Sequence, residues 1–197
     1  MALVTNSQLS ASGLQNLIDG SGSSALHQVS NIATANYAFA EGYGTSAIGV
    51  NSHAEGNQTC ASGSPAHAEG FLTKATGGGS HAEGTSSKAI GTDSHAEGYQ
   101  TCASGSNSHA EGYKTKAAST ASHSEGYQTT AEGSYSHAEG ESTYAQYSYC
   151  HAEGTGSQAK DTGAHAEGYK SVASKPYAHA EGYATTANGY ASHSEGY

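Results

Sequence analysis

The residues best equipped for chemistry in this chain are a histidine and a glutamate two positions apart, and the pair recurs at one fixed spacing. His53, His67, His81, His95, His109, His123, His137, His151, His165, His179 and His193 follow one another every 14 residues, with Phe39 in the same slot one period earlier. Two residues after each stands Glu41, Glu55, Glu69, Glu83, Glu97, Glu111, Glu125, Glu139, Glu153, Glu167, Glu181 or Glu195. An imidazole beside a carboxylate suits general base work, metal ligation, or a ladder of polar contacts. Rings of three histidines on a three-fold axis would suit zinc, whereas a ladder would satisfy polar groups at an interface. H-x-E also occurs in the zinc deaminase signature, but the downstream P-C-x-x-C is missing here. Eleven equivalent pairs are what a scaffold produces, while an enzyme needs one special pocket, so catalysis is not expected.

The elements that position this pair follow from the period. The unit reads S-H-A-E-G-Y-x-T-x-A-x-G-x-x, with Ala eight places after the His slot from Ala47 to Ala187 and a Thr or Ser two places before that Ala. Fourteen residues are too few for a helix pair and lack the apolar seam of a heptad, but they suffice for one coil of a flattened solenoid. The spacing predicts two strands of about five residues joined by two tight turns, about 12 coils and roughly 55 to 60 Å in all. Alternation puts Ser94, Ala96 and Gly98 on the inward face of the first strand, and Thr101, Ala103 and Gly105 on that of the second. The outward face of the second strand carries Cys60, Lys74, Lys88, Cys102, Lys116, Thr130 and Val172, the variation a solvent-facing surface permits. The outward face of the first carries His and Glu, with Tyr43, Tyr99, Tyr113, Tyr127, Tyr169 and Tyr183 two places beyond the Glu. A face so uniform is expected to be covered, most simply by further copies of the chain.

Composition narrows the options. The 197 residues include 7 Lys, no Arg and 17 acidic residues, a formal charge of -10. That balance argues against a nucleic-acid partner, which needs a basic footprint. Leu, Ile, Val and Phe number only 16, too few for one large conventional core. No apolar run approaches the roughly 20 residues of a membrane-crossing helix, and the start lacks the basic and apolar regions of a secretory signal.

The unit, seen as SHAEGYQT at Ser94 to Thr101, resembles the 14-residue repeats in the heads of trimeric autotransporter adhesins, and its histidine-glutamate form resembles tail and neck appendage proteins of bacteriophages. The resemblance spans about Ser30 to Tyr197. It implies an all-β, left-handed parallel β-roll that associates as a homotrimer through the His and Glu columns. It also implies a structural or adhesive fibre, in a phage tail or appendage or on an extracellular surface, facing a host receptor or glycan. A bacterial adhesin head is the alternative context. The tyrosines would then be interface residues or would stack on sugars. Metal binding and ice binding remain lesser readings, since the Thr row that could match a lattice is expected to point inward.

Residues 1–28 are expected to form an attachment or capping segment, with the roll proper over 29–197. Ser12 and Gln15 have capping-box spacing, Leu14, Leu17 and Ile18 share a helical face, and Gly20 to Ser24 read as a linker. Cys60 and Cys102, three coils apart, are beyond disulfide reach, and Cys150 reads as a small buried filler. Tyr147 and Lys175 in the second Gly slot, and Pro176 after it, mark that slot as a turn position. No cofactor is expected.

Overall fold

The computed structural model describes residues 24–26 and 31–197, and it is a parallel β-solenoid of about twelve coils. The capping-box helix proposed between Ser12 and Gly20 lies outside the described residues. One sheet has 13 parallel strands and the other 12, and each coil contributes one strand to each. Register is in phase throughout: His95 pairs with His81 and His109, Glu97 with Glu83 and Glu111, Ala103 with Ala117. The ladder begins earlier than residue 29, because Ser24–Leu26 already pairs with Phe39–Glu41. That first step is 15 residues where all later steps are 14.

The expectation of two equal strands needs correction. The His strand is five residues long in most coils, as in His95–Tyr99, but the second is only two, as in Cys102–Ala103. Its shortness follows from the corner that comes next. After Ser104 the chain turns at Gly105–Asn107, and the Ser108 hydroxyl donates 2.6 Å back to the Gly105 carbonyl. Ser52, Ser80, Ser94 and Ser136 close their corners in the same way at 2.6–2.7 Å. The Ser that precedes His in most coils is thus a corner staple, absent where Ala66, Ala164 and Ala178 hold the slot. Cys150 replaces it in one coil, buried as expected, with its thiol donating to the Asp161 carbonyl instead. Tyr147 and Lys175 lie exposed at this corner, with Pro176 in the turn itself.

Both corners use the left-handed region. Asn51, Asn107 and Tyr135 before the His, and Gln58, Leu72 and Gln128 after the Tyr slot, have φ of 57–59°. Ordinary residues tolerate this because their amides are held by the neighbouring coil: Gln58 N–H donates to Tyr43 C=O and Leu72 N–H to Asn57 C=O. In the strands the bonds run the other way, with His53 N–H donating to Ala66 C=O at 2.9 Å. Each coil is therefore tied in both directions, and the ladder outweighs the local preference of Leu or Tyr against positive φ.

Among the described residues the interior contains nothing larger than Thr. Alanines of both strands, from Ala40 and Ala47 to Ala180, are almost all inaccessible, with Thr and Ser between them. Alanine loses no rotamer freedom on burial, so a core of methyls orders at low entropic cost while the ladder holds it. The bulky residues are outside: Ile48, Val50, Phe71, Leu72 and Ile90 are exposed.

The Thr row supplies a test of this packing. The Oγ1 atoms of Thr101 and Thr115 are buried without a hydrogen-bond partner, whereas Thr129 Oγ1 donates 3.0 Å to Glu125 C=O and contacts Ser124 Oγ at 2.8 Å. Removing an unpaired buried hydroxyl relieves a desolvation cost, while removing a paired one strands its partner. Thr101→Val is expected to stabilise the rod by about 1 kcal/mol and Thr129→Val to destabilise it by about 1 to 2 kcal/mol. Parallel urea titrations check the pair; a Thr101→Val variant less stable than the parent would contradict the packing described.

Candidate functional site: the histidine and glutamate columns

The five-residue strands place His, Glu and the Tyr slot on one outward face, because alternate residues of a strand share a face. In-phase register then stacks like on like. Consecutive imidazoles from His53 to His179 lie 4.6–4.9 Å apart with interplanar angles of at most 8°, and the last, His193, tilts to 27°. Phe39 caps the column, its ring 5.2 Å from that of His53.

Each His meets the Glu of its own coil. Nε2 to Oε2 distances are 3.3–3.7 Å in ten coils, the His95 and Glu97 pair being the exception. This is electrostatic contact without hydrogen-bond geometry. The Nε2 atoms of His53 through His179 are enclosed and lack a hydrogen-bond partner, although about 36% of the side chain is exposed in a typical coil. Within one chain the His and Glu columns therefore touch without the hydrogen bonds that a ladder of Glu accepting from His would make. Burial, followed by the charges of the two neighbouring imidazoles, lowers the pKa of His123 and His165 below its ordinary value, and the glutamates only partly oppose this.

The column brings His–Glu–His triplets such as His53, Glu55 and His67 within 4.8 Å, close enough on distance alone to hold a metal ion. Ring orientation argues otherwise. An imidazole lone pair lies in the ring plane, and near-parallel rings with centroids 4.8 Å apart share no in-plane point about 2.0–2.1 Å from both nitrogens. An ion bridging two successive histidines would have to pull one ring out of the stack. Each layer of one chain therefore offers a single Nε2 and a single carboxylate. The other reactive groups are equally muted: burial pushes the thiols of Cys102 and Cys150 up, which makes them poor nucleophiles.

The tyrosines form columns of their own. Tyr99, Tyr113 and Tyr127 stack at 4.8–5.0 Å, and Tyr169, Tyr183 and Tyr197 at 4.8–4.9 Å. Stacked rings cover one another's faces, so these columns offer edges and hydroxyls to a sugar more than open faces. Tyr43 is exposed and has Asn57 as its register partner, so its ring belongs to no stack. Lys114 and Lys170 place their ammonium groups 5.2 and 4.9 Å from the rings of Tyr113 and Tyr169.

Sequence reasoning placed His, Glu and Tyr correctly on one face, but the mutual burial of Nε2 was beyond it. It also set aside the outward face of the short strands, where a shallow groove of about 410 Å³ is lined by Leu72, Lys74, Ser86, Lys88, Gln100, Thr101 and Cys102. Runs of Lys at the period of the coil were the available signal. The chain matches no protein-family model and no curated protein.

Proposed function

We propose that this chain is a non-enzymatic segment of a fibre, a left-handed β-roll in which three copies pack their His and Glu faces together around a common axis. The fibre presents a binding surface away from its point of attachment, and a phage tail or appendage is the setting that fits the resemblance best. The observation that carries this reading is the uniformity of the columns. Ten coils repeat one His–Glu contact while the short-strand face varies from coil to coil. A face held constant against a varying one is the mark of a surface with a repetitive partner, and another copy of the same rod is the partner with the same repeat.

Stiffness would be the mechanical output, since tight in-phase coils resist bending, and the role needs no cofactor. Three chains of 19.8 kDa give about 59 kDa. Light scattering at micromolar concentration is expected to return that mass. Folded single chains at the same dilution would refute the assembly.

A further inference from the structure

We propose that the short-strand face from Leu72 to Lys116 binds an elongated acidic polysaccharide. Lys74 and Lys88 are direct register partners, and Lys88, Cys102 and Lys116 follow in successive strands, with Lys114 at the adjoining corner. Four of the seven lysines therefore fall within four coils of a chain whose net charge is -10. Like charges placed directly opposite on neighbouring strands are destabilising. Among the described residues no lysine has a carboxylate within ion-pair distance, since every such pair joins a His to a Glu. No carboxylate of the described residues pairs with this column, and an external anion supplies the missing partner.

The form of the site selects the ligand. The groove of about 410 Å³ contains no carboxylate; its lining offers ammonium groups, the Ser86 hydroxyl and the Gln100 amide beside the apolar wall of Leu72. Single exposed ion pairs contribute little, so useful affinity needs several at once, along a ligand that runs up the coils. Coils about 4.8 Å apart put Lys74 and Lys116 roughly 14 Å from each other, which a small anion cannot bridge. Amide, hydroxyl and apolar contacts between the charges suit a hydroxyl-rich chain with spaced acids. Nucleic acid, with its dense phosphates, would suffer repulsion from the rest of this acidic rod.

The inference rests on the presenting-surface reading for its setting, and its test is separate from the mass measurement. A single-chain rod that binds would remove the trimer and leave the site, and a trimer that does not bind would do the reverse. Fluorescein-labelled polygalacturonate and kappa-carrageenan, which carries one sulfate per disaccharide, are titrated into the full chain at low salt, with neutral dextran and duplex DNA as comparators. Binding of one or both acidic polymers is expected, and which one binds separates carboxylate from sulfate recognition. Lys74→Gln with Lys88→Gln should weaken it about tenfold, while Lys160→Gln with Lys175→Gln should change it less than about twofold. The first double variant should melt no lower than the parent, because it relieves repulsion. Absence of binding to either acidic polymer, equal binding of neutral dextran, tighter binding of DNA, or undiminished binding by the first variant would overturn the proposal.

Discussion

Gly112→Val is expected to destabilise the rod by about 2 to 6 kcal/mol, from a strained φ together with an unrelieved clash. Gly112 has φ +107°, outside the range L side chains adopt readily, and an added Cβ would run into the carbonyl group of Gly126 in the next coil. That obstacle is backbone held in register by the ladder, so it cannot swing aside as a side chain would. Solenoid stability is close to a sum of coil and nearest-neighbour terms. The break should therefore be local, and urea unfolding should split into two transitions for the coils on either side. Gly44→Ala is the contrasting substitution. Its φ of +65° is one that Gln58 and Leu72 adopt in the same slot, and the nearest atom is Gln58 Cγ at 3.5 Å. It should cost about 1 kcal/mol, the lower end of what an L-residue loses in the left-handed region. A Gly112→Val protein that melts in one transition within about 1 kcal/mol of the parent would contradict the tight coil approach described here.

The same glycine shows what a sequence can and cannot reveal about this fold. Alternation put its slot on the inward face among other small residues, and Ala96, Thr101, Ala103 and Gly105 are indeed buried as alternation required. Gly98, its equivalent one coil earlier, is only half-buried; it is small because the next coil passes where its Cβ would be. Period and alternation report which way a residue points, but close approach between coils is a tertiary fact with no signature beyond the invariance. The corners escaped for a related reason. Leu72 and Tyr135 are poor candidates for positive φ, and only the bonds from neighbouring coils keep them there. The site divides in the same way: stacked like residues follow from in-phase coils, whereas the enclosed Nε2 atoms depend on side-chain rotamers.

Acidification should weaken the rod through that enclosure. His123 and His165 have pKa values pushed below the ordinary imidazole value near 6.5, first by burial and then by the histidines on either side. The sign is fixed by proton uptake. Between the lowered folded value and 6.5 the unfolded chain binds protons that the folded chain refuses, so stability is full above 6.5 and is lost as pH falls below it. Charged neighbours 4.8 Å apart repel by about 1 kcal/mol in water and by about 3.5 kcal/mol at an effective dielectric of 20, and with a third of each side chain exposed the lower figure applies. If two such repulsions survive compensation by the glutamates, about 2 kcal/mol is lost, or about 4 to 8 °C in melting temperature between pH 7.5 and 5. Glu125→Gln removes the carboxylate that lies 3.4 Å from His123, so its melting temperature should fall more steeply over the same interval. A profile flat from pH 7.5 to 5, or parallel in the two proteins, would mean that the column takes up protons without strain. Solvent would then be screening the imidazoles that the stack encloses.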